Sequence, residues 1–331
     1  MIQAFALQSP RTPLVPYSYT PAPLGPDDVE VQIEYCGICH SDLHLIEGQW
    51  PAQYPLVPGH EIIGKVIKIG SHCKELTLGT RVGIGWQCGA CLICDTCLRS
   101  KESCCPSRVR TCVDRLGGFA DKIVVDHRFV YPIPVGFDPA AAAPLLCGGI
   151  TVYSPLRTYV QPPHSVAIVG IGGLGHLALQ FARAFGCTVT ALSTSPDKEE
   201  DARKFGAHHF HLLRDLKLGM PPQFDFILST VHADLDWGLL LSLLKLSGKL
   251  CCVGIPQTEI KISARQLITN NRSLCGSSTG GRYDMREMLR FAAQHNIQAQ
   301  VEVMPMSKVN EALAKLKKNE ARYRIVLAQH S

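Results

Sequence analysis

An apolar run, Val166-Ala-Ile-Val169, leads without a break into Gly170-Ile-Gly172-Gly173-Leu174-Gly175 and then into a helical pattern over 174–185. This succession of strand, glycine turn and helix constrains the fold more than any other feature, because few architectures need all three in so short a span. Gly170 permits a tight turn, Gly172 lets backbone approach a pyrophosphate, and Gly175 lets the helix pack closely. The helix N-terminus adds amide donors and a positive dipole. The alternative is a glycine-rich turn with no ligand, and the flanking strand and helix argue against it. Downstream, apolar strands at 188–192, 224–229 and 249–253 alternate with helix-length segments at 198–205 and 239–246. That alternation predicts an α/β unit, a doubly wound parallel sheet with helices on its faces.

The end of the next strand decides between dinucleotides. An NAD site would place Asp or Glu there for the ribose 2′-hydroxyl, whereas this sequence has Ser193-Thr194-Ser195-Pro-Asp197-Lys198. Hydroxyls and a lysine suit a 2′-phosphate, which an acid would repel, so NADP is the expected cofactor. The competing reading is a solvated turn in which Asp197 caps the following helix.

From residue 3 to about 145 the texture is different: short β-rich runs at 29–33, 62–69, 81–84 and 120–125, broken by turn residues. Near the end, 285–295 and 308–318 read as amphipathic helices and 324–328 as a closing strand. A chain of 331 residues accommodates about two domains. Its +5 balance is small and scattered, which excludes a nucleic-acid footprint and favours a small-molecule partner. No stretch reaches about 18 uninterrupted apolar residues, so no membrane span is expected. The opening segment lacks a basic residue before Arg11 and an apolar core, so it does not read as a secretory signal. The expected location is the cytoplasm, where thiols stay reduced.

The cysteines number 15, an odd count, and they cluster. Cys91-x-x-Cys94-x-x-Cys97, followed by Cys104 and Cys105, offers four thiolates for a closed tetrahedral zinc site, with either member of the doublet as the fourth ligand and Cys88 as a further candidate. A ferredoxin-type cluster would place its fourth cysteine after three residues, and here six or seven intervene. Elsewhere Cys39, His60 and Cys147 stand far apart in sequence. Each alone reads as a buried thiol or a core histidine, but together they make the Cys2His set of a catalytic zinc with an open position.

These motifs carry a resemblance. The chain is similar over nearly its whole length to zinc-dependent medium-chain alcohol dehydrogenases, most of all to the cinnamyl alcohol dehydrogenase group. The resemblance rests on Cys36-Gly-Ile-Cys-His-Ser-Asp-Leu-His44, Val57-Pro-Gly-His-Glu61, the 91–105 lobe, Pro144-Leu-Leu-Cys-Gly-Gly-Ile-Thr-Val-Tyr153, Val169-Gly-Ile-Gly-Gly-Leu-Gly-His176 and Gly276-Ser-Ser-Thr-Gly-Gly281. It implies a GroES-like catalytic domain over 1–149 and 283–331 around an inserted Rossmann domain over 150–282, with substrate in the cleft between them. It puts catalytic zinc on Cys39, His60 and Cys147 with Glu61 nearby, and structural zinc on Cys91, Cys94, Cys97 and Cys105, two zincs per chain. Ser41 and His44 fall on proton-relay positions, Asp42 behind the zinc-binding histidine, and Trp50 on a substrate-pocket wall. Cofactor contacts fall on His40, Gly170, Gly172, Gly173, Leu174, Gly175, Ser193, Thr194, Ser195, Lys198 and Ser277. A homodimer through the strand near 273–277 is also implied. Between Cys105 and Gly117 the loop is shorter than the family usually carries.

The expected reaction is reversible reduction of an aldehyde to a primary alcohol with NADP(H), zinc acting as Lewis acid. Apolar cleft candidates (Trp50, Leu56, Leu145, Leu146, Ile150) favour aromatic or medium-chain substrates over polyols. Two rivals are a non-catalytic zinc and thiol sensor on the same fold, and a zinc-free quinone reductase of the same superfamily.

Overall fold

The computed structural model describes residues 1–329 and divides into two compact units. One comprises Met1–Cys147 together with the chain from Gly280 onward, and the other is Gly148–Thr279. Among the described residues, no helix is long and apolar enough to cross a membrane.

The inserted unit is built on six parallel strands in the spatial order His209–Leu212, Thr188–Ser193, Ser165–Val169, Phe224–Ser229, Leu244–Cys252, Ser273–Gly276. Numbered along the chain this order is 3-2-1-4-5-6, so the first strand and its glycine turn lie where the direction of winding reverses, the place where such sheets bind dinucleotides. Val166, Ala167, Ile168 and Val169 are all fully buried, which explains their unbroken apolar run: a central parallel strand has no solvent face. The helix expected over 239–246 is Trp237–Ser242 and stops early. Leu244 already pairs with Phe224, and the next pair is Lys249 with Phe226, so 245–248 form an irregularity, with Ser247 at φ +60°, before the ladder resumes. The edge strand His209–Leu212 was not expected, because its alternation of exposed and half-buried positions gives no apolar signal.

The other unit carries a seven-stranded sheet in the order Val301–Pro305, Arg324–Ala328, Asp28–Ile38, Glu61–Ile69, Arg81–Ile84, Tyr131–Pro132, with Lys122–Asp126 pairing beside Asp28–Ile38. Val29, Val31, Ile33, Ile62, Val82, Phe119 and Ile123 form its core. Strand Asp28–Ile38 lies antiparallel to Glu61–Ile69 with Gly37 opposite Glu61, so the residues after the first strand and before the second come together. Gly37 is required there: a Cβ would sit 2.1 Å from Glu61 Oε2. Two carriers of the candidate site, Cys39 and His60, thus meet because of strand register.

Candidate active site

Cys39 ends the strand and begins helix His40–Ile46. Its backbone N–H donates to Asp42 Oδ2 at 2.9 Å, closing a capping box that fixes the turn. The other oxygen, Oδ1, accepts from Gly59 N–H at 2.9 Å and lies 3.1 Å from His60 Nδ1. Asp42 and His60 are both fully buried. With Nδ1 bound to the carboxylate, Nε2 is left without a hydrogen-bond partner among the described residues. Cys147, between the turn Ala143–Leu146 and helix Gly148–Tyr159, brings its sulfur to 4.0 Å from Cys39 Sγ. One ligand atom from each of Cys39, His60, Glu61 and Cys147 lies within 4.8 Å of every other. An orphaned imidazole nitrogen among two thiols and a carboxylate is the donor set a zinc ion satisfies. The Cys147 thiol, hydrogen-bonded to Cys39, holds Cys39 well below the usual thiol range and is itself pushed well above it.

Glu61 does not stand free. Burial pushes its carboxyl up to about 7, against the pull of Arg324, whose Nη2 lies 2.5 and 2.7 Å from the two carboxylate oxygens and 3.0 Å from the carbonyl of Ile38. Arg324 comes from the closing strand and is itself 5% exposed, so the pair is desolvated on both sides.

Around this cluster, Ser41 Oγ lies 3.7 Å from Cys39 Sγ. His44 stacks on Trp50, with ring centroids 4.8 Å apart, and its Nδ1 pairs with Gln49 Oε1. Trp86 meets His60 edge-on at 4.8 Å and Trp50 edge-on at 6.1 Å. The aromatic surface beside the cluster is therefore shared by two indoles, of which the sequence pointed to one.

In the second cluster, Cys105 Sγ lies 3.5 Å from Cys91 Sγ and 3.8 Å from Cys94 Sγ, and Cys91 Sγ is 3.9 Å from Cys97 Sγ. The one-turn helix Glu102–Cys104 leaves Cys104 exposed and turns Cys105 fully inward. Cys88 Sγ instead faces the carbonyl of Val109 at 3.6 Å, outside the four. Hydrogen bonding from the Thr96 hydroxyl and the Cys97 N–H lowers Cys94 to about 6, and backbone N–H groups of Ile93 and Cys94 lower Cys91. Burial pushes Cys97 the other way, up to about 12, so two of the four thiols are poised as the thiolates a metal requires.

The glycine turn belongs to the inserted unit. Gly170 has φ +90°, and Thr230 Oγ1 donates to its carbonyl at 3.1 Å and to that of Val169 at 2.9 Å. A Cβ on Gly175 would lie 1.8 Å from Gly170 O, whereas one on Gly172 would meet nothing within 4 Å. The three glycines thus serve a turn, an open approach and a close packing, in that order. Gly173 and Leu174 lie between them at the start of helix Gly175–Ala184. Substituting Gly175 by alanine is expected to destabilise the unit by about 3 kcal/mol through forced backbone movement; an unchanged urea midpoint would show that the turn can relax. Lys198 Nζ donates to the carbonyl of Ile171 at 2.8 Å, which brings its ammonium to the glycine turn. Ser193 Oγ accepts from Ser195 N–H at 3.1 Å and donates to Ser195 O at 3.2 Å, folding the segment through Thr194 into a tight hydroxyl-bearing turn. Ser277 follows the last strand of the sheet and donates its N–H to Cys252 O at 3.2 Å. His40 opens the helix after Cys39 in the other unit.

Residues 25–135 match the alcohol dehydrogenase GroES-like domain family, and 173–294 match the zinc-binding dehydrogenase family. The aldehyde reductase AdhA of Synechocystis sp. is 40% identical over 332 residues, covering 99% of both chains. The chain belongs to the zinc-binding alcohol dehydrogenase family. Solved structures place it beside two members: the cinnamyl alcohol dehydrogenase SbCAD4 of Sorghum bicolor, with TM-score 0.94, 38% identity and coverage of 99% of this chain and 97% of that one, and CAD of Helicobacter pylori complexed with NADP(H), with TM-score 0.91, 33% identity and the same coverages. As a zinc-binding dehydrogenase with an intact glycine turn, it is an oxidoreductase, and the cinnamyl alcohol dehydrogenase resemblance holds over the whole fold. Within this dehydrogenase, Arg324, Trp86 and Cys112 are the site neighbours that motif reading passed over. Arg324 is the one charge in an otherwise apolar closing strand, a signal that was available.

Proposed function

We propose that this chain interconverts aldehydes, aromatic or medium-chain, and primary alcohols with NADP(H), with zinc held by Cys39, His60 and Cys147 and a second zinc by Cys91, Cys94, Cys97 and Cys105. The observation that carries the reading is His60 Nε2, buried and, among the described residues, without a hydrogen-bond partner, within reach of two thiols. Bound zinc would supply a Lewis acid for the carbonyl oxygen, and NADPH the hydride. Asp42 holds His60 in the tautomer that leaves Nε2 free to bind. Ser41 and His44, one turn apart on helix His40–Ile46, pass a proton to the product oxygen from Ser41 Oγ and restore it from the imidazole. Glu61 with Arg324 supplies a fixed counter-charge behind the thiols, and Trp50 forms a wall of the substrate site. His40, the Gly170–Gly175 turn and Ser277 contact the cofactor, and Ser193, Thr194, Ser195 and Lys198 take its 2′-phosphate. Ser273–Gly276 is an edge strand of the six-stranded sheet, which supports a homodimer formed by pairing along that edge. The count of 15 free cysteines supports a cytoplasmic setting.

The test is initial rates of NADPH and NADH oxidation at equal concentrations with cinnamaldehyde or benzaldehyde, on protein purified without chelator. NADPH is expected to be preferred by a factor of about 100, the worth of two charge-assisted contacts. A reversed preference would overturn the 2′-phosphate assignment alone. Faster turnover of mannitol with NADP than of cinnamyl or benzyl alcohol would overturn the substrate class. No rate with either cofactor, in protein holding two zincs, would favour the sensor.

A further inference from the structure

Cys112 lies outside both proposed metal sets, yet it touches one of them. Its side chain is fully buried, with Sγ 3.8 Å from Asp42 Oδ1, toward which the thiol donates, and 3.7 Å from His60 Nδ1. Asp42, His60 and Cys112 form a compact buried group of their own. The backbone at Cys112 has φ +62°, in the left-handed region that a side chain other than glycine, asparagine or aspartate rarely adopts. Two bonds hold the residue before it: Thr111 N–H donates to Trp86 O at 2.8 Å, and Thr111 Oγ1 to Gly85 O at 2.8 Å. On its other side Gly117 packs so closely that a Cβ there would lie 2.6 Å from Cys112 Cβ, and that same Cβ would be 2.5 Å from Gly59 O. The loop is therefore fastened against the turn that carries His60. Glycine would relieve the backbone at 112, so a thiol kept there in a strained conformation calls for a role of the side chain.

We infer that Cys112 is a positioning residue for the active-site zinc: its S–H is the third donor on Asp42 Oδ1, beside Gly59 N–H and His60 Nδ1, and its sulfur closes the Asp42–His60 bond off from water. This rests on the reading of Cys39, His60 and Cys147 as zinc ligands. Through Asp42 the thiol acts on the plane of the imidazole, and through the plane on where Nε2 points. Removing a partner one shell out from a metal costs affinity because the ligand is then free to rotate away from the metal.

The experiment compares zinc binding by wild type, Cys112→Ala and Cys112→Ser, using competition with a chelator and the absorption of the cobalt-substituted proteins. The relevant ion is the one that Cys39→Ala lacks. Cys112→Ala is expected to release that ion about tenfold more readily and to shift the cobalt bands. Cys112→Ser, which keeps a donor, is expected to stay within about threefold of wild type. Equal affinity in wild type and Cys112→Ala would overturn the proposal. So would equal losses in the alanine and serine variants, which would assign the thiol to packing alone. If wild type binds no more zinc than Cys39→Ala, the ligand reading itself fails and the role of Cys112 falls with it.

Discussion

Cys39→Ala is expected to lower kcat/KM for aldehyde reduction by on the order of 10³ to 10⁴ while leaving NADPH binding within about twofold of wild type. A Lewis acid is worth several kcal/mol of transition-state stabilisation, and each 1.36 kcal/mol is tenfold in rate. Without Cys39, His60 Nε2 faces Cys147 and a carboxylate that Arg324 already occupies, too few free donors for a closed hold on the ion. The glycine turn and the Ser193 to Lys198 segment lie in the other compact unit, so all the proposed cofactor contacts but that of His40 stay remote from the substitution. Steady-state rates and a fluorescence titration with NADPH read the two separately. Turnover kept within tenfold would remove the proposed metal from the reaction.

Arg324→Ala is the substitution with the largest expected effect on stability, about 3 to 5 kcal/mol at alkaline pH, where it leaves the fully buried Glu61 to ionise without its cation or to hold its proton. The double variant Glu61→Met with Arg324→Met, which removes both charges, is expected to recover most of the loss. Glu61 carries a pH signature as well. In the folded chain its carboxyl stands at about 7, above its ordinary value of 4.5, so its contribution is fully present below 4.5 and is lost as pH rises through 7. Removing Arg324 takes away the charge that lowers it, which extends the window upward; in zinc-stripped protein the deficit of Arg324→Ala should widen above pH 7. Denaturant midpoints from pH 5 to 9 measure both effects. A deficit that narrows over that range would mean that Glu61 is ionised without help from Arg324.

Local patterns were the legible part of this chain. The 91–105 cysteines and the 170–175 glycines each lie within one short stretch of chain, so spacing alone suggests their chemistry. Between Cys104 and Cys105 spacing has nothing to say; the choice depends on which way a one-turn helix faces. Cys39, His60 and Cys147 could be grouped by residue type, but no spacing joins them, since what brings them together is the register of Gly37 against Glu61 and a turn far along the chain. Arg324 and Cys112 escaped for the same reason in stronger form. Each meets its partner across a long stretch of chain, and a lone charge in an apolar strand marks Arg324 without naming that partner. The irregularity at 245–248 shows the converse, a helical pattern continuing past the helix because the leucines serve the sheet as well.

The position of strand Arg324–Ala328 also bears on how the protein is made. It lies inside the sheet, between Val301–Pro305 and Asp28–Ile38, and it delivers the counter-charge for Glu61. A ribosome releases Cys39, His60 and Glu61 early and this strand more than 260 residues later. Until then the Tyr35 to Ile38 end of the first long strand has one open edge, and a carboxylate waits beside it without its cation. The cysteine lobe can close during synthesis, with Cys91, Cys94, Cys97 and Cys105 contained in 15 residues. The pairing of Glu61 with Arg324 is by contrast a post-synthetic event, completed only when the two ends of the unit have met.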